Sequence, residues 1–306
     1  MKHVVSISIG SPKRDKRVEI EILGEKILLE RIGTNGDMEK AALLFKEMDG
    51  KVDAFGLGGT DLGLMVADKW HPLHSVTSIV RYIKKTPLAD GTGLKNTLEN
   101  LSVPVLESKI SSYLDEIGRR AFIAVALDRW GMAMSFVERG YDFIFGDFMF
   151  SLGLPIPIRR VATIKILAAI LVPIVGRLPF EWVYPTGEKQ NVRIPKWGKY
   201  YRWASVIAGD CLYIKRHMPD NMEGKIIVTN TTTPEDIEFF RSIGIRYLLT
   251  TTPVLEGRSF GTNLMEACLI AISGKNRPLN RQELKTLLEK IGFTPQLQAL
   301  QERRPR

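Results

Sequence analysis

Residues Phe122–Asp147 read FIAVALDRWGMAMSFVERGYDFIFGD, and this stretch decides the fold. Phe122 to Leu127 is a short, nearly all-apolar run, the pattern of a parallel strand buried on both faces. Asp128-Arg129-Trp130-Gly131 breaks it. Met132, Phe136 and Val137 then fall at helical spacing, and Gly140 stands where a left-handed cap residue ends a helix. Tyr141 to Phe145 forms a second apolar strand, closed by Gly146-Asp147. Strand, turn, helix and strand, with an acid ending the second strand, make the first half of a dinucleotide-binding fold.

In that fold the turn carries Gly-x-Gly-x-x-Gly, so that backbone N–H groups approach a pyrophosphate. The matching positions are Ala126, Asp128 and Gly131, so only the last glycine is kept. A carboxylate at Asp128 repels the anion unless it points away, and Arg129 supplies a compensating positive fork. The expected cofactor site is therefore Ala126, Asp128, Arg129 and Gly131, with Asp147 accepting ribose hydroxyls. The alternative is that Asp147 only caps the loop that follows. Because a carboxylate repels a 2′-phosphate, Asp147 points to NAD, with NADP as the other option.

The chain of 306 residues is long enough for two domains, and its 44% hydrophobic and 25% charged residues suit a soluble globular protein. Neither of its two cysteines, Cys211 and Cys268, belongs to a Cys-x-x-Cys pair, so no disulfide framework or zinc site is implied and a reducing cytoplasm fits. The formal net charge is +9, but the basic residues are scattered rather than striped with aromatics. That argues against nucleic acid and for a small anionic substrate. The most apolar region, Ile164 to Leu178, is interrupted by Lys165, Pro173 and Arg177 and is too short to span a bilayer. It reads as a buried helix ending near Pro173 or as the surface of a homodimer. No signal peptide is visible, because the chain runs from Met1 directly into a strand.

Upstream, Val18–Leu23 and Lys26–Ile32 form a hairpin around Gly24-Glu25. Asp37 caps a helix closed by Gly50, and Val52 to Leu57 is a strand followed by Gly56-Leu57-Gly58-Gly59-Thr60-Asp61. Such a loop either cradles an anion through Gly58 and Thr60 or is a tight turn. His71 and His74 lack a third ligand nearby and read as structural. Val76 to Ile83 has helical spacing. Downstream, Ala204–Ala208, Lys225–Val228 and Arg246–Leu249 are further strands. The last two end in threonine runs, Thr231-Thr232-Thr233 and Thr250-Thr251-Thr252. Ligands sit beyond the carboxyl ends of strands in open α/β sheets, so Asn230, Thr231, Thr250 and Thr251 join the expected cofactor crevice. Arg258 is the candidate fork for an anionic group. Asn280 caps a last helix. The whole reads as an N-terminal mixed α/β domain over 1–103, a doubly wound Rossmann-like domain over 104–275, and a C-terminal helix and tail over 276–306.

Ala89-Asp90-Gly91-Thr92-Gly93-Leu94, then a helix, then the nucleotide-binding unit, resembles the shikimate and quinate dehydrogenase arrangement. There an Asn-Thr-Asp-Gly-x-Gly-Phe motif precedes the Rossmann domain. The resemblance implies that Asp90 works with a lysine to move a proton as hydride passes between a substrate carbon and NAD(P). The family's lysine motif has no match ahead of Asp90, which leaves Lys85, with Lys84 and Lys69, as candidates. Gly261 to Ala267 resembles the family's closing helix, with Glu266 where a substrate-binding glutamine stands. Gly58, Thr60, Thr92, Arg258, Asn263 and Glu266 are then the implied substrate residues. The function so implied is oxidation of a secondary alcohol of a hydroxylated cyclic acid. Two alternatives keep the fold and drop that chemistry: a non-catalytic nucleotide- or small-ligand-binding protein, and a nucleotide-using transferase.

Overall fold

The computed structural model describes residues 1–66, 69–177, 193–252, 254–255, 258–259 and 261–301. The chain forms two compact α/β units, as its alternation of apolar strands and amphipathic helices led us to expect. The first comprises Met1–Thr97, Ile170–Thr186 and Val254–Phe293. The second comprises Leu98–Ala169, Gly187–Pro253 and Thr294–Arg306.

The first unit is built on strands β1 (Lys2–Ser8), β2 (Lys16–Ile22), β3 (Glu25–Gly33), β4 (Ala54–Gly58) and β7 (Leu88–Ala89), in the order β2-β3-β1-β4-β7. All pairs are parallel except β2 with β3, a hairpin turned by Leu23 and Gly24. Both turn residues have positive φ, 53° and 80°, as a two-residue type I′ turn requires. Between β4 and β7 lies a second hairpin, β5 (Gly63–Val66) with β6 (Lys69–Pro72). Alternation splits the main sheet's faces. Val5, Ile7, Phe55 and Leu57 bury against Ala41 and Phe45 of helix Met38–Met48 and against Val76 and Ile79. The opposite face carries Ser6, Ser8, Gly56 and Gly58, small enough for helix Thr262–Ser273 to approach closely. The helix expected over 76–83 is instead one α-helical turn, His74–Thr77, running into a 3-10 turn, Ser78–Val80. The first unit's last pair is β13 (Val254–Leu255) with β14 (Arg258–Ser259).

The second unit has six strands: β8 (Arg120–Ile123), β9 (Asp142–Phe145), β10 (Val206–Ala208), β11 (Ile226–Thr229), β12 (Tyr247–Thr250) and β15 (Gln296–Ala299). Their order is β15-β12-β11-β10-β8-β9, and only β15 runs antiparallel. In chain order this is 6-5-4-3-1-2, the flavodoxin-like arrangement rather than the dinucleotide order 3-2-1-4-5-6. Both faces are covered. Ala121, Ile123, Val206, Val228 and Leu249 pack with helices Ser102–Ile117 and Trp130–Glu138, through Leu106, Leu114, Met132 and Phe136. Phe122, Ile207, Ile227 and Leu248 pack with Tyr201, Ile214 and Phe240 from helices Gly198–Trp203, Cys211–His217 and Pro234–Ser242.

Two expectations change in this unit. Strand β8 stops at Ile123, not Leu127, because the N–H groups of Ala126 and Leu127 leave the sheet for the Asp147 carboxylate. The chain does not end on the helix that Asn280 caps. After that helix, Arg281–Ile291, β15 returns to pair with β12. Helix Val161–Val175 runs two residues past Pro173. It buries Ile164, Ala168 and Val172 and leaves Ile166, Ile170 and Ile174 exposed. Among the described residues no helix is long and apolar enough to cross a membrane.

Candidate functional site

The order of the second sheet fixes where a ligand would sit. From β8 the chain moves to β9 on one side and then to β10 on the other, so the carboxyl ends of β8 and β10 flank a topological switch point. Three segments meet there: Ala124–Arg129 after β8, Gly209-Asp210 after β10 and Asn230 after β11.

Arg129 is the centre of this cluster. Its Nη1 donates to Glu99 Oε1 at 2.8 Å, its Nη2 to Asp210 Oδ2 at 2.8 Å, and its Nε lies 3.0 Å from Asp128 Oδ2. The Glu99 side chain is only 1% exposed and that of Arg129 9%, whereas Asp128 and Asp210 keep 26% and 19%. Burial works against the guanidinium charge, but Asp128, Glu99 and Asp210 outweigh it and hold the pKa well above the ordinary arginine value. Asp210 also accepts from Leu212 N as the cap of its helix and from Asn230 Nδ2 at 2.8 Å. Asn230 in turn accepts from Cys211 N and Thr229 Oγ1 through Oδ1. At the rim, the hydroxyls of Thr231 and Thr252 bond at 2.8 Å, while Thr250 is half-buried and Thr251 buried. Tyr213 stands among the same charges; burial, with Asp128 and Asp210, pushes its phenol up.

Asp147 does not face a ribose. It is the first residue of helix Asp147–Leu152, buried, and its two oxygens accept from Ala126 N at 3.1 Å and Leu127 N at 3.0 Å. Burial pushes its carboxyl up to about 6, against the pull of those two N–H groups. The backbone donors that a pyrophosphate would use are thus taken by the chain's own acid. Gly131 is buried one turn further on, inside helix Trp130–Glu138.

The remaining expected residues belong to the first unit. Asp90, just after β7, accepts from Leu62 N and Thr92 N at 2.8 and 2.9 Å. Lys85 lies at the other end of that strand, with its backbone N–H on Asp49, so the fold does not bring Lys85 to Asp90. Glu266 is buried and accepts from Leu94 N at 2.8 Å, and burial pushes its carboxyl up to about 7. Lys95, buried, pairs with Asp61 at 3.0 Å. Thr92 is buried, and its Oγ1 has no hydrogen-bond partner among the described residues. Asn263 Nδ2 donates to Ser6 Oγ at 2.6 Å, and a Cβ on Gly58 would come within 3.2 Å of it. Thr60 is buried and donates to Asp61 O. The side chain of Arg258 lies outside the described residues. No group of three or more His, Cys, Asp or Glu among the described residues is placed to hold a metal ion.

Of the residues that meet here, Asp128, Arg129 and Asn230 were expected at a cofactor site, and Glu99 and Asp210 were not expected at any site. Asp210 had a signal, since β10 ends in Gly209-Asp210 just as β9 ends in Gly146-Asp147. Glu99 had none, because nothing in helix Thr92–Glu99 marks its last residue as the buried partner of an arginine 30 positions away.

A family model, a domain of unknown function designated DUF8754, matches residues 93–300. The chain belongs to that family. A second domain of unknown function, DUF8753, matches residues 3–90 of this family member. No curated protein matches the chain. Solved structures that match include a Mycobacterium smegmatis protein in complex with β-D-fucofuranose, 12% identical over 95% of this chain and 98% of that one, TM-score 0.35. A glucose-galactose binding protein from Geobacillus stearothermophilus is 12% identical over 98% and 97%, TM-score 0.35. A malic enzyme of Entamoeba histolytica is 10% identical over 92% of this chain and 60% of that one, TM-score 0.43. At these scores the likeness carries no functional argument.

These findings correct the dehydrogenase expectation. Both family matches are to domains of unknown function and neither is to the quinate and shikimate dehydrogenases. The NAD or NADP site expected at Ala126, Asp128, Arg129, Gly131 and Asp147 is corrected for a physical reason. Asp147 occupies the turn, and Arg129 is committed to three carboxylates.

Proposed function

We propose that the chain is a small-ligand-binding protein, and that its ligand is a neutral, hydroxyl-rich molecule held at the switch point of the second unit. The observation that carries this reading is the Arg129 cluster, in which one guanidinium meets the three carboxylates of Glu99, Asp128 and Asp210. The excess of acid disfavours the anionic small molecule expected from overall charge. A hydroxyl group suits it, because it donates to a carboxylate and accepts from an N–H at the same time. The cluster is already ordered by its own ion pairs, so little entropy is lost when a ligand docks on its exposed edge. Asp128 and Asp210 form that edge, and the Thr231–Thr252 hydroxyl pair extends the polar rim.

The test is a thermal-shift titration of the full chain with glycerol, myo-inositol, hexoses and pentoses, repeated on Asp128→Asn. That substitution leaves Arg129 paired with Glu99 and Asp210, so the fold is kept. A ligand at about 100 times its dissociation constant adds roughly 2.7 kcal/mol and raises the melting temperature by a few degrees. The expected result is a saturable shift with one class of polyol that Asp128→Asn loses. Absence of a shift with every polyol, or an equal shift in the variant, overturns the reading.

A further inference from the structure

The second unit has a further cavity, away from the switch point. It lies at the amino end of β12 and has a volume of about 240 Å³. Lys109, Ser111, Ser112, Tyr113 and Glu116 line it from helix Ser102–Ile117, with Arg246 and Tyr247 opposite. We propose that this cavity binds a small phosphate-bearing anion.

Arg246 is the anchor. Its backbone is fixed on both sides, with Arg246 N donating to Lys225 O and Leu300 N donating to Arg246 O, each at 2.9 Å. Its guanidinium lies over two rings, 6.0 Å from the centre of Tyr113 and 5.5 Å from that of Tyr247. Those rings meet edge to face at 5.2 Å, and the Tyr113 hydroxyl donates to Gly224 O at 2.7 Å. The aromatic pair therefore holds the guanidinium without neutralising it. The Nε of Arg246 is buried and hydrogen-bonds to no described residue.

The rest of the lining suits the same ligand. Lys109 is exposed and brings a second positive charge, and Glu116 brings one negative, so the cavity carries a net positive charge. Two neighbouring hydroxyls, Ser111 and Ser112, add donors. They follow Ile110, whose φ of −137° and ψ of 32° break the helix, so its second half begins at these serines. Guanidinium, ammonium and hydroxyl groups converging from different directions fit a tetrahedral dianion better than a two-oxygen carboxylate. The volume is below the roughly 300–1,000 Å³ of sites for drug-sized ligands, so the ligand is inorganic phosphate or a compact phosphomonoester.

The experiment titrates the full chain with inorganic phosphate and, separately, with phenyl phosphate, by calorimetry at constant ionic strength. Lys109→Ala and Arg246→Gln are compared with Lys46→Ala, which lies in the other unit. Saturable binding that weakens at least tenfold in Lys109→Ala, is lost in Arg246→Gln and persists in Lys46→Ala is the expected outcome. Lys109 is exposed, so its variant folds whatever Arg246→Gln does. Tighter binding of phenyl phosphate identifies an ester as ligand, and equal binding identifies phosphate itself. No saturable binding of either, or binding that Lys109→Ala leaves unchanged, overturns the proposal. Polyol binding at the switch point is read on the same samples and stands or falls separately.

Discussion

Two stretches of this molecule stand at the carboxyl ends of buried parallel strands and fill themselves in different ways. The stretch Gly56 to Asp61, the end of β4 and the turn after it, is glycine-rich; the loop after β8, Ala124 to Arg129, has no glycine. Each suggests a cradle for an anion. In the first, the glycines make room for a side chain. Asn263 seats its amide against Gly56 and Gly58 and bonds to Ser6. In the second, the N–H groups are free to turn out of the sheet, and Asp147 takes two of them. A glycine-rich loop is a statement about space, and the space belongs to whichever group packs there first. A loop of exposed N–H groups is a statement about hydrogen bonds, and an acid of the same chain satisfies them as well as a phosphate does.

The comparison yields an ordered set of expectations. Arg129→Ala has the largest effect, because it removes the one guanidinium that the buried carboxylate of Glu99 shares with Asp128 and Asp210. The expected loss is about 3–5 kcal/mol by urea denaturation followed by circular dichroism, or failure to fold. A loss under about 1 kcal/mol would show that the cluster is not tightly desolvated. Asp147→Ala comes next and orphans the N–H groups of Ala126 and Leu127, at about 2–4 kcal/mol. Asp147→Asn keeps one acceptor and falls near half of that. Asn263→Ala removes one hydrogen bond and some packing from the glycine loop, at about 1–2 kcal/mol in the same assay. If it costs as much as Asp147→Ala, the distinction between filling space and satisfying donors collapses.

The smallest effect at a single pH, and the most telling across pH, belongs to Glu266→Gln. The carboxyl groups of Asp147 and Glu266 are raised to about 6 and about 7 in the folded protein. The folded state therefore holds these protons more tightly than the unfolded chain does. The stability they contribute is fully present below the ordinary carboxylate range and is lost as pH rises through 6 and 7. A glutamine still accepts from Leu94 N, so at pH 5 the variant should lie within about 1 kcal/mol of the parent. Between pH 5 and pH 8 the parent should lose melting temperature more steeply than the variant. Parallel curves would show that Glu266 does not titrate in this range.

Local features were legible in the chain. The hairpin at Gly24, the caps at Asp37 and Asn280, and the left-handed glycines at 50 and 140 all obey short-range rules of backbone geometry. The alternation of apolar strands with helices pointed to the α/β class, and the length of the chain to two domains. Composition and charge bounded the rest, and a six-residue motif at Asp90 suggested an activity that the family matches do not support.

Tertiary structure decided what each polar group faces. Whether Asp147 meets a ribose or the backbone of its own unit depends on how helix Asp147–Leu152 is set against the β8 turn, 20 residues earlier in the chain. Arg129 becomes a buried hub only because Glu99 and Asp210, distant in sequence, arrive beside it. The strand order β9-β8-β10 makes that meeting point a topological switch point. Hydrogen bonds and charges act over a few ångströms, so their partners are set by the folded path of the chain and not by spacing along it. Periodicity and capping act between near neighbours, and for that reason they are written in the sequence itself.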